Sequence, residues 1–370
     1  MNLAVYVTGH GYGHMTRTME ILRYLKIEYN EVRVHIRAPF PKEHIIEAAG
    51  FKPDSHVPIR LDIGLVQKDS LSIDIPRSVE KLEYFYGSDG DRLVQEEANW
   101  LRNNQIDIAL IDIPPRAFEA CALAGVPAFG STNFSWDWIW SDLADDDPRF
   151  EPYAGKARAG YQTCKCLFRT VMCKGLDAFP VVQDVPLVSR ISQHDPFETR
   201  DSLGIQHEKV VIILSYGGSG LEGLTLPPKA IHDRFLFVVT EPMKDPGEPF
   251  FYISDSYLRS LNLRYCDLVR MADIVMSKPG YSTVAECVGN KTAMVYSDRG
   301  RFAEYPVIAN YIEEFLPSRL LESNHLRSGN WMDSLDSLTA ERPFKFPETR
   351  TDGAKTVVRL LVEKYKEIYS

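Results

Sequence analysis

Short apolar runs alternate with amphipathic stretches along this chain. The run 3–7 is typical of a buried strand, and from Met15 onward apolar residues recur every three or four positions, as on one face of a helix. Strand-type runs follow at 32–39 and 106–113, and a long helical pattern covers 79–103. Strands and helices in this alternation predict a parallel sheet with helices on both of its faces.

The alternation begins again after position 210, with a new series of strand-type runs. Between the two series, 181–204 carries two prolines and many charges, so we interpret it as a linker. The length of 370 residues also suits about two domains. The prediction is therefore a first α/β domain over 1–190, a second over 205–350, and a closing helix over 351–370.

Composition excludes several classes of protein. The net charge of −9 disfavours a general nucleic-acid binder, and no apolar run approaches the roughly 20 residues that span a membrane. The chain starts on a strand pattern and not on a signal peptide, and six cysteines without zinc-site spacing are typical of reduced thiols in the cytoplasm. The basic stretch 156–174 predicts peripheral membrane contact, contact with an anionic substrate, or a solvated helix face.

The first strand-type run ends in a turn that places Gly11 and Gly13 between His10 and His14. Glycine lets the backbone approach a ligand closely, and the helix that follows offers unpaired N–H groups and the positive end of its dipole. A dinucleotide domain would have a third glycine where this chain has His14, and an acid where the second strand ends in Arg-Ala-Pro. The turn therefore predicts an anion or phosphate site that is not an NAD site.

The first half contains further candidate residues. Asp112 ends a buried strand, at the edge of the sheet where open α/β folds bind ligands. Asp62 and Gln67 belong to an irregular polar stretch, which is either a substrate-facing loop or a solvated connection. Trp136 and Asp137 lie where three tryptophans surround one aspartate, which indicates either a sugar-binding surface or a hydrophobic patch under a loop.

Two stretches of the second half predict contacts with a nucleotide. A strand-type run leads into a turn suited to holding a diphosphate by backbone N–H groups, and this turn contains Gly217, Gly218 and Ser219. Later, Lys278 and Gly280 precede a helical pattern. Ser282 or Thr283 is predicted to cap that helix. Glu286 then lies one turn further, where it either accepts both hydroxyls of a ribose or only completes a capping box.

Together these motifs resemble the GT-B nucleotide-sugar glycosyltransferases, among them the UDP-glycosyltransferases and the peptidoglycan N-acetylglucosaminyltransferase. The Gly-His turn and the later glycine turn with Ser282, Thr283 and Glu286 carry this resemblance. A more specific resemblance, to the amino-terminal glycosyltransferase-like half of plant L-arabinokinase, extends over nearly the whole chain. Its motifs are at 9–17, 61–67, 132–137, 184–188 and 278–286, with Tyr305, Pro306 and Asn310 beyond them.

The resemblance implies an α/β fold of the GT-B class, with two Rossmann-like domains whose parallel sheets face each other across a cleft. It implies transfer of a sugar from a nucleoside-diphosphate donor, with UDP expected, to an unknown hydroxyl acceptor, with inversion. The sequence contains no sugar-kinase loop, so phosphorylation of a sugar is not expected. Two other functions stay open, a non-catalytic nucleotide-sugar-binding module and a nucleotide-sugar 2-epimerase.

By the same resemblance, His14 takes the position of the general base, with His10 as a second candidate. Either Asp112 or Asp137 would orient the base. The alternative for each histidine is a contact with phosphate or backbone without catalysis.

Arg301, Glu304 and Tyr305 occupy positions that contact the donor sugar in related enzymes. Neither a metal nor a cofactor is expected, because the helix dipole and backbone N–H groups would balance the charge of the diphosphate. The expected partners are thus a nucleotide sugar and a small acceptor, and the expected location is the cytoplasm.

Overall fold

The structure is a computed structural model that describes residues 1–69, 72–216, 234–240 and 250–370. The chain forms two compact units. The first consists of Met1–Val66, Asp74–Ser189 and Arg350–Ser370, and the second of Gln67–Ile73 and Arg190–Thr349. The carboxyl-terminal segment therefore belongs to the first unit, although the chain reaches it only after the second.

The first half of the chain contains nine strands in its described part. In chain order its elements are β1 (Asn2–Val7), α1 (Tyr12–Glu28), β2 (Arg33–Arg37), α2 (Lys42–Ala49), β3 (Ser55–Val57), β4 (Gln67–Asp69), β5 (Ser72–Ile73), α3 (Ile75–Phe85), α4 (Ser88–Asn103), β6 (Ile108–Asp112), α5 (Pro115–Ala124), β7 (Ala128–Thr132), α6 (Trp136–Leu143), a 3-10 turn (Pro148–Phe150), α7 (Glu151–Tyr161), β8 (Cys166–Arg169) and β9 (Val182–Asp184).

The second half continues the alternation of strands and helices. Its described elements are α8 (Pro196–Ser202), β10 (Val210–Ser215), β11 (Phe235–Val239), β12 (Phe250–Tyr252), α9 (Asp255–Ser260), α10 (Tyr265–Met271), β13 (Ile274–Ser277), α11 (Tyr281–Asn290), β14 (Ala293–Ser297), α12 (Tyr305–Phe315), β15 (Ser318–Leu321), α13 (Ser323–Ser328), α14 (Met332–Thr339) and α15 (Gly353–Tyr369).

The first unit contains a seven-stranded parallel sheet in the order β3-β2-β1-β6-β7-β8-β9. Alternate residues of β1 point to opposite faces of the sheet. Leu3 and Val5 pack with α1, α2 and α15 in one buried core. Tyr6 points the other way and donates a hydrogen bond of 2.7 Å to Glu97 of α4. Helices therefore cover both faces, as the sequence predicts, and the order of the strands reverses at β1.

The second unit contains a six-stranded parallel sheet in the order β12-β11-β10-β13-β14-β15, whose strand order reverses at β10. One face is covered by Leu326, Trp331 and Leu335, which pack on the inward side chains of the strands. Both units thus have the doubly wound α/β arrangement, in which ligands bind at the carboxyl ends of the strands where the order reverses.

Three predictions from the sequence are wrong in detail. The pattern at 79–103 forms two helices, α3 and α4, because the chain breaks at Gly87. The expected linker at 181–204 contains strand β9 and helix α8. The basic stretch 156–174 is not one amphipathic helix, since α7 ends at Tyr161 and 166–169 forms the buried strand β8. Among the described residues, no helix has both the length and the apolar character to cross a membrane.

Candidate functional site

The site in the first unit begins where β1 turns into α1. Gly11 precedes the helix with φ of 136°, a backbone conformation that favours glycine. The register of β1 and β6 places Val7 beside Asp112. The N–H of Thr8 then donates to the Asp112 carbonyl at 2.8 Å. The glycine turn therefore directs the first turn of α1 over the end of β6.

His14 and Asp112 meet at this edge of the sheet. His14 Nδ1 lies 2.9 Å from Asp112 Oδ1. One turn along α1, Arg17 donates to both oxygens of the same carboxylate, from Nε to Oδ2 at 2.7 Å and from Nη2 to Oδ1 at 2.6 Å. Thr18 Oγ1 adds a third donor residue at 3.0 Å from Oδ2. Asp112 is thus the centre of a buried network built by α1 and β6.

The hydrogen-bond network assigns the tautomer of His14. Arg17 Nη2 carries only two hydrogens but lies near three polar atoms. These are Asp112 Oδ1 at 2.6 Å, His14 Nδ1 at 2.8 Å and Thr132 Oγ1 at 3.2 Å. The Thr132 hydroxyl donates to a carbonyl and so accepts from Arg17. The two hydrogens therefore go to Asp112 and Thr132, and His14 Nδ1 donates its own hydrogen to Asp112. In the neutral imidazole with this tautomer, Nε2 is the ring nitrogen that carries the lone pair.

Asp112 remains ionised in this network. Burial alone would raise the pKa of Asp112, but the neighbouring Arg17 guanidinium and His14 outweigh it and hold that pKa well below its usual range. Arg17 is itself held by Asn133 Oδ1, at 2.5 Å from Nη1. Sequence reasoning missed the roles of Arg17 and Asn133, although Arg17 follows His14 at the three-residue spacing that places two side chains on one helical face.

The two carboxylates predicted to orient the base differ in the structure. Asp112 contacts His14, whereas Asp137 on α6 accepts from Arg158 Nε at 3.3 Å. Burial raises the pKa of Asp137. The second histidine, His10, packs edge-on against Trp136 with ring centres 4.9 Å apart. His14 and Asp112 are therefore the pair that the structure brings together.

Two of the residues predicted to bind an acceptor contact each other. Trp136 is buried, stacks on Trp140 with ring centres 5.7 Å apart, and donates from Nε1 to Asp62 Oδ2 at 2.9 Å. Its indole is thus part of the core and not an exposed sugar-binding surface. Burial raises the pKa of Asp62, whose Oδ1 has no hydrogen-bond partner in the described structure. Gln67, the third predicted residue, lies in β4.

A pocket of about 620 Å³ lies in the first unit beside the glycine turn. His10 lines it on one side, the loop around Gly64 on another, and the exposed face of α3 on a third. A Cβ atom on Gly64 would come within 2.3 Å of His10 Nδ1, so the loop packs closely on the histidine. This pocket is a candidate ligand site of the first unit.

In the second unit, β13 leads through Lys278 and Gly280 into α11. The predicted cap is wrong, because the N-cap residue is Gly280 in an extended conformation and no side chain caps the helix. Ser282 and Thr283 lie inside the first turn, where the N–H groups of a helix have no partner within the helix. A Cβ atom on Gly280 would meet nothing within 4 Å. The start of α11 is therefore suited to an anion by its backbone and not by a capping side chain.

Glu286, the predicted ribose ligand, is buried in an ion pair with Arg190. Arg190 Nε donates to Glu286 Oε1 at 2.5 Å, and Nη2 contacts the same oxygen. One turn further along α11, Asn290 donates from Nδ2 to the Arg190 carbonyl at 3.0 Å and accepts from the N–H of Ser192 at 2.9 Å. The segment 190–192 is thus fixed to α11. Sequence reasoning missed Arg190, which no local pattern connects to Glu286.

The remaining predicted donor residues fall into two groups. Arg301 is exposed, and Glu304 and Tyr305 lie at the start of α12. Gly217, Gly218 and Ser219 lie outside the described residues. In the described part of the chain, no three His, Cys, Asp or Glu side chains are grouped as metal ligands.

Arg299, at the end of β14, is a further candidate that the sequence did not suggest. It is buried, its guanidinium lies 4.0 Å from the centre of the Phe302 ring, and its Nε has no hydrogen-bond partner in the described structure. Burial lowers the pKa of Arg299.

Comparison of the whole chain with solved structures decides its fold. UGT2 of Phytolacca americana, complexed with UDP-2-fluoro-glucose and pterostilbene, matches with a TM-score of 0.60 at 13% identity, over 99% of this chain and 94% of that one. This chain has the GT-B fold. A structure from Listeria monocytogenes described as a UDP-N-acetylglucosamine 2-epimerase matches this chain with the same TM-score of 0.60, at 13% identity over 99% of this chain and 97% of that one.

The predicted similarity to L-arabinokinase is confirmed. The chain is 30% identical over 345 residues to L-arabinokinase of Arabidopsis thaliana, and the match covers 92% of this chain and 32% of that protein. The matched part lies in the amino-terminal half of L-arabinokinase, so the chain spans about a third of the length of this relative. No protein-family model matches the chain.

Proposed function

We propose that this protein is a glycosyltransferase that moves a sugar from a UDP-sugar donor to a hydroxyl acceptor. The contact between His14 Nδ1 and Asp112 Oδ1, at 2.9 Å, is the observation that carries the proposal. It supplies an oriented imidazole at the end of the β-sheet where α/β folds bind ligands. The similarity to a structure that holds a UDP-sugar supports the choice of donor.

In the proposed reaction His14 is the general base. Its Nε2 takes the proton of the acceptor hydroxyl while that oxygen attacks the anomeric carbon of the donor sugar. The bond from this carbon to the diphosphate oxygen breaks, and UDP leaves with the electron pair, so the configuration inverts. Asp112 holds the required tautomer and balances the charge of the imidazolium, and Arg17 fixes Asp112 in place.

The donor site is proposed at the start of α11. Backbone N–H groups near Gly280, Ser282 and Thr283 would bind the diphosphate, and the helix dipole favours its negative charge. Glu286 would accept the ribose hydroxyls, with Arg190 orienting the carboxylate through Oε1. Arg301, Glu304 and Tyr305 remain the proposed contacts of the donor sugar.

A second candidate function is 2-epimerisation of a nucleotide sugar. The Listeria monocytogenes structure described as such an epimerase has the same TM-score of 0.60 as the UDP-sugar-bound plant structure, so the fold does not separate the two. The reactions differ in what they consume. An epimerase converts the nucleotide sugar into its isomer without an acceptor, whereas the transferase releases UDP only when an acceptor is present.

The test combines donor binding with turnover. A UDP-sugar present at about 100 times its dissociation constant should stabilise the protein by about 2.7 kcal/mol in thermal unfolding. In an acceptor screen that follows UDP release, His14→Ala should reduce turnover by roughly 10²–10⁴-fold, the usual contribution of an acid–base group. His44→Ala, at an exposed histidine of α2, is the matched control and should keep full turnover.

A loss of less than about tenfold in His14→Ala would contradict the assignment of the base. Formation of an isomer in the absence of any acceptor would favour the epimerase. Donor binding with no turnover on any acceptor would favour the binding module.

A further inference from the structure

The pocket beside the glycine turn has the dimensions of a small-molecule site. Its volume of about 620 Å³ lies within the range of roughly 300–1,000 Å³ typical of ligand pockets. Ile63, Leu65 and Phe85 contribute apolar lining, and Tyr84 adds an exposed aromatic ring. A ring or short chain fits these contacts, whereas a polymer is too large to be enclosed.

The lining of the pocket also carries positive charge. Arg60, Arg77 and Lys81 line it, and Glu80 is the carboxylate among its described lining residues. Arg77 and Lys81 lie four residues apart on α3, so both project from the same face of the helix. Among the described residues, none of these three cations forms an ion pair within 4.0 Å, and Arg60 acts on the buried Asp62 carboxyl only by longer-range attraction.

The position of Arg60 is fixed by the turn itself. A Cβ atom on Gly9 would lie 2.6 Å from Arg60 Nη1, so the guanidinium rests directly on the backbone of the glycine turn. The turn continues through His10, which lines the same pocket, into the helix that carries His14. A ligand held by Arg60 would therefore lie close to the turn that positions the proposed base.

The overall charge of the protein makes this pocket distinctive. The chain has a net charge of −9, so the protein as a whole repels anions. The lining of this pocket, in contrast, contains three cations and one carboxylate. A concave site lined by one sign of charge concentrates ligands of the opposite sign. Unpaired arginine and lysine side chains in such a site suit a carboxylate or a phosphate group, because both accept charge-assisted hydrogen bonds.

We propose that the acceptor of this enzyme is a small acidic molecule whose carboxylate or phosphate is bound by Arg60, Arg77 and Lys81. Its ring or chain packs on the apolar lining residues of the pocket, and its hydroxyl is directed to the glycine turn. The inference rests on the transferase function proposed above and adds to it the chemical class of the acceptor.

The experiment measures binding to the full chain by calorimetry at low salt. Its probes are glucose 6-phosphate, glucuronate, neutral glucose and inorganic phosphate. We expect at least one acidic sugar to bind about tenfold or more tightly than glucose, with the preferred one showing whether the anion is phosphate or carboxylate. Arg77→Gln/Lys81→Gln should weaken that binding by about tenfold, since both side chains are exposed and their loss leaves the fold intact.

The matched control is Lys52→Gln/Lys165→Gln, which removes two exposed cations of the same unit outside the pocket. It should bind the acidic sugar within about twofold of the unmodified protein, because distant surface charges are screened. Three results would each overturn the proposal. Glucose could bind as tightly as the acidic sugars, neither acidic sugar could bind, or the control variant could lose as much affinity as Arg77→Gln/Lys81→Gln. Phosphate binding as tight as that of the acidic sugars would indicate an adventitious ion only and would overturn it too.

UDP is titrated in parallel, so that the two proposals fail separately. Binding of UDP without binding of an acidic sugar overturns the acceptor class and leaves the proposed transferase standing. Binding of an acidic sugar without binding of UDP or of any UDP-sugar supports the anion pocket and removes the donor on which the transferase depends.

Discussion

Replacing Asp112 by asparagine removes the carboxylate on which the donors of three residues converge. Oδ1 accepts from Arg17 Nη2 at 2.6 Å and from His14 at 2.9 Å, while Oδ2 accepts from Arg17 Nε at 2.7 Å and from Thr18 at 3.0 Å. An amide keeps one oxygen and presents an NH₂ group in place of the other. Whichever way it is turned, two donors face another donor, and Arg17 loses its counter-charge.

The expected cost is large because water cannot replace the lost partner. The side chains of Arg17 and Asp112 are only 3% and 1% exposed. Removing one member of a buried ion pair costs about 3–5 kcal/mol, and we expect Asp112→Asn to lower the free energy of unfolding by that amount. Arg359 and Glu363 in α15 form a comparison pair at 2.9 Å, but they are 58% and 50% exposed. Glu363→Gln should therefore cost less than about 1 kcal/mol.

Urea unfolding at several pH values measures both effects. Because the folded state holds the pKa of Asp112 below its usual range, the ionised carboxylate stabilises the protein fully above the unfolded pKa of about 3.9. This contribution is lost as the pH falls toward the folded pKa, since the unfolded chain then binds the proton first. The difference in unfolding free energy between Asp112→Asn and the unmodified protein should be constant from about pH 7 to 5 and should narrow below about pH 4.

Three results would refute this reasoning. The first is a loss of less than about 1 kcal/mol at pH 7, the size of a surface pair. The second is a difference that widens in acid, which would mean that burial and not Arg17 dominates the pKa of Asp112. The third is an equal loss in Glu363→Gln. A double-mutant cycle with Arg17→Met should give a coupling energy of about 2–3 kcal/mol, and additivity of the two losses would also contradict the pairing.

Four further substitutions test other parts of the structure by the same unfolding measurement. Arg190→Met should lower the free energy of unfolding by about 3 kcal/mol, because it leaves the Glu286 carboxylate buried without its partner. A loss below about 1 kcal/mol would show that the ion pair is solvated. Arg299→Met should stabilise the free protein by about 1 kcal/mol. Burying a guanidinium whose Nε has no hydrogen-bond partner among the described residues costs several kcal/mol, which should exceed the roughly 2 kcal/mol gained from the Phe302 ring together with the attraction of Glu304; a loss of stability would refute this balance. Within α7, Gly155→Ala should raise the free energy of unfolding by about 0.5–1 kcal/mol, because alanine lowers the backbone freedom of the unfolded chain. Gly160→Ala should lower it by about 1–3 kcal/mol, because the added Cβ would lie 2.7 Å from the Pro115 carbonyl oxygen. Equal effects of the two substitutions would contradict the packing of α7 on α5.

The sequence predicts the fold well because its signals are local. Apolar runs and helical periodicity identify most strands and helices of both sheets, and the strand, glycine turn and helix around Gly11 follow directly from residue type. The left-handed ends of α2 at Gly50 and of α5 at Gly125 are local in the same way, because glycine adopts this conformation readily. The break between α3 and α4 was missed, since the apolar spacing continues across Gly87 although the helix does not.

The candidate site was predicted only in part, because its contacts join distant positions. His14 and Asp112 are 98 residues apart, and Arg190 and Glu286 are 96 apart. Residue type and strand position suggested both members of the first pair. Nothing in the sequence around Arg190 indicates that it would bind Glu286, because the segment 190–192 meets α11 through contacts between distant positions that no local motif encodes.

The choice between Asp112 and Asp137 shows where the missing information lies. The resemblance leaves both residues open as the partner of His14, since residue type does not separate two aspartates. In the sheet, however, β1 pairs with β6 and not with β7, and the register sets Asp112 directly beside Val7. The chain that leaves Val7 needs only the glycine turn to return the first turn of α1 over Asp112. Asp137 lies within α6, beyond the next strand, where Arg158 of α7 is its neighbour. Strand order, which short local patterns do not encode, therefore determines which carboxylate orients His14.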